Sequence, residues 1–309
     1  MITSLFRKST PVNYALVILL AAAFYILYRI GNATGDDSAD PLVNQIGIFA
    51  FVIGSMFVAN FIIKKNSLSR DSSYTVLFVL LFLLFFPSIF EKPNLILANF
   101  FVLLGLRRLI SLHSLKSAKE KVFDASLWIF VATLFHFWCI LFIGLVFISI
   151  LFHISRDYRN WILPFLAFFA IAAVFILLAF AIDKTWIGHF LNGMQTDVSI
   201  DYFTNVKENI AISVYASVAL FFTASMFMTL SGRPLVLQTS YKKIIASFMI
   251  AIVIFVISPN KSNEVLIFTV APLAFMATSH IELLQERIKQ EITLALVIVC
   301  SLLLFFYQL

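Results

Sequence analysis

"FDASLWIFVATLFHFWCILFIGLVFISILFH", residues 123–153, is a run of thirty-one residues with one charged side chain, Asp124. A helix needs about 20 apolar residues to cross the hydrocarbon of a bilayer, and about 17 to 25 are found. The run is too long for one ordinary crossing and short for two. It is therefore either a single tilted span or a pair of short helices that turn near His136 to Trp138. The choice decides on which side of a membrane every later loop falls.

The rest of the chain makes the question one about a membrane protein. Of 309 residues, 61% are hydrophobic and 12% are charged, and the mean hydropathy is +1.00. A soluble domain is nearer about half apolar and about a quarter charged. The composition reads as an all-α, polytopic bundle of transmembrane helices, one integral membrane domain over 1–309. Clear candidate spans are 11–30, 43–63, 74–90, 161–182, 209–230, 244–258, 265–284 and 292–308, with a shorter run at 94–109 beyond the break "FEKPN". "FRKS" before "AAA" has the look of a signal peptide, but the apolar run continues through "FYILY", which favours a first span over a cleaved leader. Thr10 and Pro11 suit the N-cap and first position of that helix. Cys139 and Cys300 both lie in apolar runs and make no disulfide framework.

Charge chooses between the two readings. If 123–153 is two passes, the inner segments collect 17 of the 22 Lys and Arg, leaving Arg29, Lys92, Lys184, Lys207 and Lys261 outside. If it is one pass, the later loops flip and the split becomes 13 to 9. Positive charge gathers on cytoplasmic loops, so the expectation is about eleven passes with the N-terminus cytoplasmic. Limbs of about 13 and 15 residues reach only about 20 to 23 Å at 1.5 Å per residue. On that count the tip "HFWC" sinks below the outer surface. Residues 111–123, with Leu112, Leu115, Ala118 and Val122 at helical spacing among lysines, read as an interfacial helix on anionic lipid.

The remaining polar chemistry collects on the outer side. "YRIGNATGDDSADPLVNQ", 28–45, carries Asp36, Asp37 and Asp40. Carboxylates there can act as general base toward a sugar hydroxyl, or hold a divalent cation with a pyrophosphate. Equally, the loop can be a solvated tether, since Asp contributes little to topology. Arg29 either clamps a lipid-linked phosphate or snorkels to headgroups. His136 is either a proton carrier or substrate contact in the aromatic tip, or the closure of a turn. The longest hydrophilic stretch, 183–209, holds His189. Lys261 can pair with a phosphate oriented by Glu264, or the two form a local ion pair at i, i+3. Pro87, Pro164 and Pro272 are expected to kink their helices.

Several chemistries find no support. The sequence has no P-loop, no G-x-G-x-x-G, no H-E-x-x-H, no C-x-x-C and no G-x-S-x-G, and no metal-ligand set is assigned. Its basic residues are not interleaved with aromatics as in nucleic-acid binders.

Three stretches resemble polytopic envelope glycosyltransferases of the GT-C type, in particular EpsG-like polysaccharide polymerases. They are Arg29 with "GDD", the block "ATLFHFWCILFI", and "NKSNEVLIFTVAP". The resemblance implies transfer of a saccharide from a polyprenyl-phosphate carrier at the outer face. It would make Asp36 or Asp37 the base, give Arg29 and Lys261 the phosphate, and line the site with His136. The opening loop is shorter than that family's usual first outer loop, and Trp138 stands where a small hydroxyl residue is usual.

Most of the chain is also similar to an uncharacterised family of integral membrane proteins of about this length from Bacteroidota. The matching stretches are "KKNSLSRDSSY", "LRRLISL", "KVFDASLWI", "RDYRNWILPF" and "SPNKSNEVLIF". The rivals to an enzyme are a non-catalytic membrane subunit docking envelope partners through its basic face, and a small-molecule transporter. The transporter is disfavoured by the lack of deep intramembrane charges and of an inverted repeat.

Overall fold

The computed structural model describes residues 2–31, 42–154, 157–197, 205–259 and 261–309. Among these residues there are thirteen α-helices and no strand. A short α1 (Ile2–Phe6) precedes α2 (Pro11–Gly31), α3 (Leu42–Lys65), α4 (Tyr74–Leu83), α5 (Pro93–Ile110) and α6 (Ala118–Phe135). Then follow α7 (Ile143–His153), α8 (Arg159–Ala181), α9 (Thr185–Asn192), α10 (Val206–Leu230), α11 (Leu235–Ile257), α12 (Ile267–Leu283) and α13 (Arg287–Gln308). Among the described residues 8 helical stretches are long and apolar enough to cross a membrane, built on α2, α3, α5, α8, α10, α11, α12 and α13. This is the architecture of a multi-pass membrane protein.

The deciding stretch doubles back. Helix α6 ends at Phe135, and His136 is extended (φ −144°, ψ 107°). A 3₁₀ segment, Phe137–Phe142, then leads into α7. The return brings the end of α7 to the start of α6. Lys119 Nζ lies 3.0 Å from Asp157 Oδ2 just beyond α7, and Lys119 with the Arg159 N–H holds the Asp157 carboxyl below its ordinary range. Lys243 Nζ donates to Leu109 O at the end of α5 (2.5 Å) and contacts His153 Nε2 at the end of α7 (3.1 Å).

No Pro or Gly breaks the helix at 136, so the break must be stabilised from elsewhere in the fold. Phe137 packs on Phe190 of α9 at 5.5 Å between ring centroids, and Trp138 Nε1 donates to Gln195 O at 3.3 Å. The limbs are longer than the sequence count. Helix α6 starts at Ala118 rather than 123, and its 18 residues span about 27 Å. The return limb adds a 3₁₀ segment, whose rise is about 2.0 Å per residue. The first turns of α6 carry Lys119, Glu120, Lys121 and Asp124, so its apolar part begins at Ala125.

Three other local expectations change. Residues 111–123 are not one helix. A 3₁₀ turn, Ser111–Ser114, is followed by left-handed Leu115 (φ 53°) and Ser117 (φ 49°), so Leu115 points out, 57% exposed, while Leu112 and Val122 are buried. Pro87 does not kink a long helix: α4 stops at Leu83, and Pro87 opens a 3₁₀ turn, Pro87–Glu91. Helix α11 begins at Leu235 instead of 244, which puts Lys243 inside it, fully buried. The lysine is thus buried in protein, beside the ends of α5 and α7. Pro164 and Pro272 do lie inside α8 and α12.

Helices α4 and α12 form the centre. Every residue from Tyr74 to Leu83 is buried, and 94% of the apolar window of Asn263–Leu283 is buried. Against lipid alone there is no hydrophobic drive between helices, so close packing and polar ties hold a bundle together. Gly105 is one such device: a Cβ there would sit 3.2 Å from Ala125 O, so a side chain would press on the close contact of α5 and α6. Glu282 is another. Its Oε1 accepts from Ser69 and Ser72 Oγ (2.6 Å each) and its Oε2 from the Arg70 N–H (2.9 Å), pinning the "SRDSS" loop under α12.

The helix order gathers Lys64, Lys65, Arg107, Arg108, Lys119, Lys121, Arg159, Arg233, Arg287 and Lys289 at helix ends on one side of the bundle, the basic end. Arg29, Lys92, Lys184, Lys207 and Lys261 fall at the opposite end.

Candidate functional site

The opposite end carries a cluster built from α2, the 3₁₀ turn Pro87–Glu91, and a 3₁₀ turn Asn263–Leu266 that leads into α12. The two turns touch. Tyr28, 4% exposed, donates its hydroxyl to Glu91 Oε1 at 2.8 Å. Glu91, Glu264 and Arg29 all lie within electrostatic reach of that hydroxyl. One turn back on α2, Tyr25 receives Arg29 Nη2 at 3.5 Å and donates to Gln45 O at 3.2 Å. Arg29 Cζ also lies 5.6 Å from the Tyr25 ring centroid. Phe90 packs against both tyrosines, at 5.1 Å from Tyr25 and 5.9 Å from Tyr28, which sets the direction of Glu91 beside it.

Glu264 is the costly member. It is 8% exposed, and among the described residues its Oε2 has no hydrogen-bond partner. A buried carboxylate oxygen left unbonded loses its hydration without compensation. Its neighbour Asn263 is fastened, donating to Glu208 O at 3.0 Å. Beside the cluster a cavity of about 280 Å³ opens between α3 and α5, lined by Val43, Asn44, Gly47, Ile48, Phe51 and Pro93 among others. Asn44 adjoins Gln45 and Pro93 follows Glu91 by two, so an apolar groove begins where the polar cluster ends.

Of the residues singled out in the sequence, Arg29 and Glu264 come together around Tyr28. Lys261 is half-buried on the link between α11 and the turn that bears Glu264. His136 takes a separate place: its Nε2 meets Ser258 Oγ at 3.1 Å at the end of α11, and its ring lies 5.6 Å from Phe268. His189 falls on α9, its side chain outside the described part. Asp36, Asp37 and Asp40 lie outside the described residues. Among those described, no group of three or more His, Cys, Asp or Glu is placed to hold a metal ion. The sequence reading missed Tyr28 and Glu91. Their only local signals are a tyrosine pair one turn apart before Arg29 and a carboxylate before Lys92–Pro93.

Fold and cluster define an all-α, multi-pass membrane protein with an acidic and cationic cluster at one end of its bundle. The sequence matches the family of unknown function DUF6427 over residues 8–309, and the chain belongs to that family. No curated protein and no solved structure matches it.

Proposed function

We propose that this protein acts in cell-envelope glycan assembly at a bacterial inner membrane, as a transferase or polymerase using a polyprenyl-phosphate-linked saccharide at the outer face. The observation that carries the reading is Glu264, a buried carboxylate with an unbonded oxygen beside Arg29, Tyr28 and Glu91. A buried polar atom left unbonded in a folded protein calls for an explanation, and a ligand that fills the gap is one. In glycosyl transfer an acceptor hydroxyl attacks the anomeric carbon as the carbon–oxygen bond to phosphate breaks. A carboxylate takes the hydroxyl proton, and cations hold the leaving prenyl phosphate. Glu264, with Asp36 or Asp37, fits the first role; Arg29 and Lys261 fit the second. The groove between α3 and α5 offers apolar surface for a prenyl chain. The reading requires eleven crossings with the basic end cytoplasmic, as positive charge on cytoplasmic loops favours.

The test is single replacement in the native host, with surface glycan scored at matched membrane abundance. Glu264→Gln, Arg29→Gln and Asp37→Asn are expected to lose the glycan. Wild-type glycan in all three would refute the enzyme reading. Sensitivity confined to the basic end would favour a non-catalytic subunit.

A further inference from the structure

At the basic end a second cavity, of about 140 Å³, opens between the ends of α3 and α5 and the start of α6. Lys65, Arg107, Arg108, His113 and Lys121 converge on it. Each is held separately. Phe61 carries Lys65 Nζ 5.1 Å and Arg107 Cζ 4.7 Å from its ring centroid. Arg108 Nη2 lies 2.7 Å from Asp124 Oδ2. Lys121 Nζ donates to Ser111 O (2.8 Å) and Ser114 Oγ (2.7 Å). His113 Nδ1 donates to Ile110 O at 3.0 Å, which leaves Nε2 as the ring's remaining polar atom.

The preference for cations on one membrane face explains their number but not their convergence on a hollow. Arg108, Lys65 and Lys116 all press like charge on Lys121. Among the described residues, Asp124 is the one carboxylate ion-paired to a cation of this cavity. Like charges gathered around a void repel, and in the reduced dielectric beside a bilayer they repel more strongly. An anion in the void would reverse the sign of that interaction. The guanidinium groups of Arg107 and Arg108 and the ammonium groups of Lys65 and Lys121 together offer the forked and point donors that phosphate takes. The volume equals about four to five waters at roughly 30 Å³ each, which suits a phosphate or diphosphate group and not a whole nucleotide.

We propose that this cavity binds a phosphate group, as a monoester or diphosphate, at the basic end of the bundle. The site is independent of the reading of the opposite end. The group can belong to a membrane lipid or to a soluble compound, and two probes separate these sources. Purified full-length protein in phosphatidylcholine nanodiscs is titrated with inorganic pyrophosphate, read by thermal shift. In parallel, nanodiscs doped with phosphatidic acid are tested for lipid retained by native mass spectrometry. At least one probe is expected to bind, and Arg107→Gln and Lys121→Gln each to weaken it by about tenfold or more, as for a lost charge-assisted hydrogen bond.

Lys121→Arg is expected to keep binding, which guards against mere misfolding. Lys119→Gln, which removes a basic-end charge paired to Asp157 away from this cavity, is expected to change nothing. Binding of pyrophosphate assigns a soluble ligand, and retention of phosphatidic acid assigns a lipid. No response to either probe overturns the proposal, as does an equal loss in Lys119→Gln.

Discussion

Tyr28 and Glu91, 63 positions apart in sequence, are joined by a 2.8 Å hydrogen bond that ties the end of α2 to the turn before α5. The tie explains why "FEKPN" is more than a linker. Pro93 starts α5, Phe90 fills the space between two tyrosines, and Glu91 is left facing Tyr28.

Because Glu91 is exposed, the bond is worth little to stability, and Tyr28→Phe is expected to cost about 0.5–1 kcal/mol. Glu91→Gln keeps an acceptor oxygen and is expected to be nearly neutral in thermal unfolding. Surface glycan output should nevertheless fall in Glu91→Gln if the cluster's negative charge is used in chemistry. Unchanged glycan in that variant, at normal membrane levels, would leave Glu91 as a strut only.

His136 and Ser258 make a second long-range tie, 3.1 Å between Nε2 and Oγ. The bond holds the tip of the doubled-back stretch to the end of α11. A double-mutant cycle of His136→Ala and Ser258→Ala, read by unfolding in detergent, is expected to show a coupling of about 0.5–1.5 kcal/mol. Additive effects would mean that the contact contributes nothing. His136→Gln, which can still reach a hydroxyl, should recover part of the loss.

What could be read in advance followed from length, composition and charge. The long spans stand out because about 20 apolar residues are hard to disguise. The start of α2 was legible too, since Thr10 Oγ1 accepts from the Asn13 N–H at 3.4 Å and Pro11 opens the helix. The turn at His136 left no local mark: no breaker residue precedes it, and its stabilising partners are Phe190, Gln195 and Ser258. Only the distribution of lysine and arginine pointed to it. The early end of α4 and the burial of Lys243 were hidden for the same reason. Each depends on what packs against it, and no window of sequence contains that neighbour.

Lys243 shows how far tertiary context can move a charge. Its side-chain nitrogen lies buried within α11, donating to the carbonyl of Leu109 at the end of α5 and meeting His153. A cation at a helix C-terminus satisfies an orphan carbonyl and the helix dipole together. Lys243→Met keeps the stem's volume and drops the donor, and is expected to lower stability by about 1–3 kcal/mol. Lys243→Ala adds a cavity and should cost more, about 2 kcal/mol or more beyond that. A methionine variant as stable as wild type would show that the ammonium is not needed for folding.

The doubled-back stretch makes one further prediction about sides. With α6 and α7 forming a hairpin, Ser117 before α6 and Thr239 near the start of α11 share the basic end, while Asn192 at the end of α9 belongs to the opposite one. In a background with Cys139 and Cys300 replaced by Ser, single cysteines at these three positions can be challenged with an impermeant maleimide on intact spheroplasts. Asn192→Cys is expected to react from outside, and Ser117→Cys and Thr239→Cys only after the membrane is opened. Had the stretch crossed once, Ser117 and Thr239 would report from opposite faces. Labelling of Thr239→Cys but not Ser117→Cys in sealed cells would therefore reject the hairpin and, with it, the placing of Arg29 and Glu264 on one side.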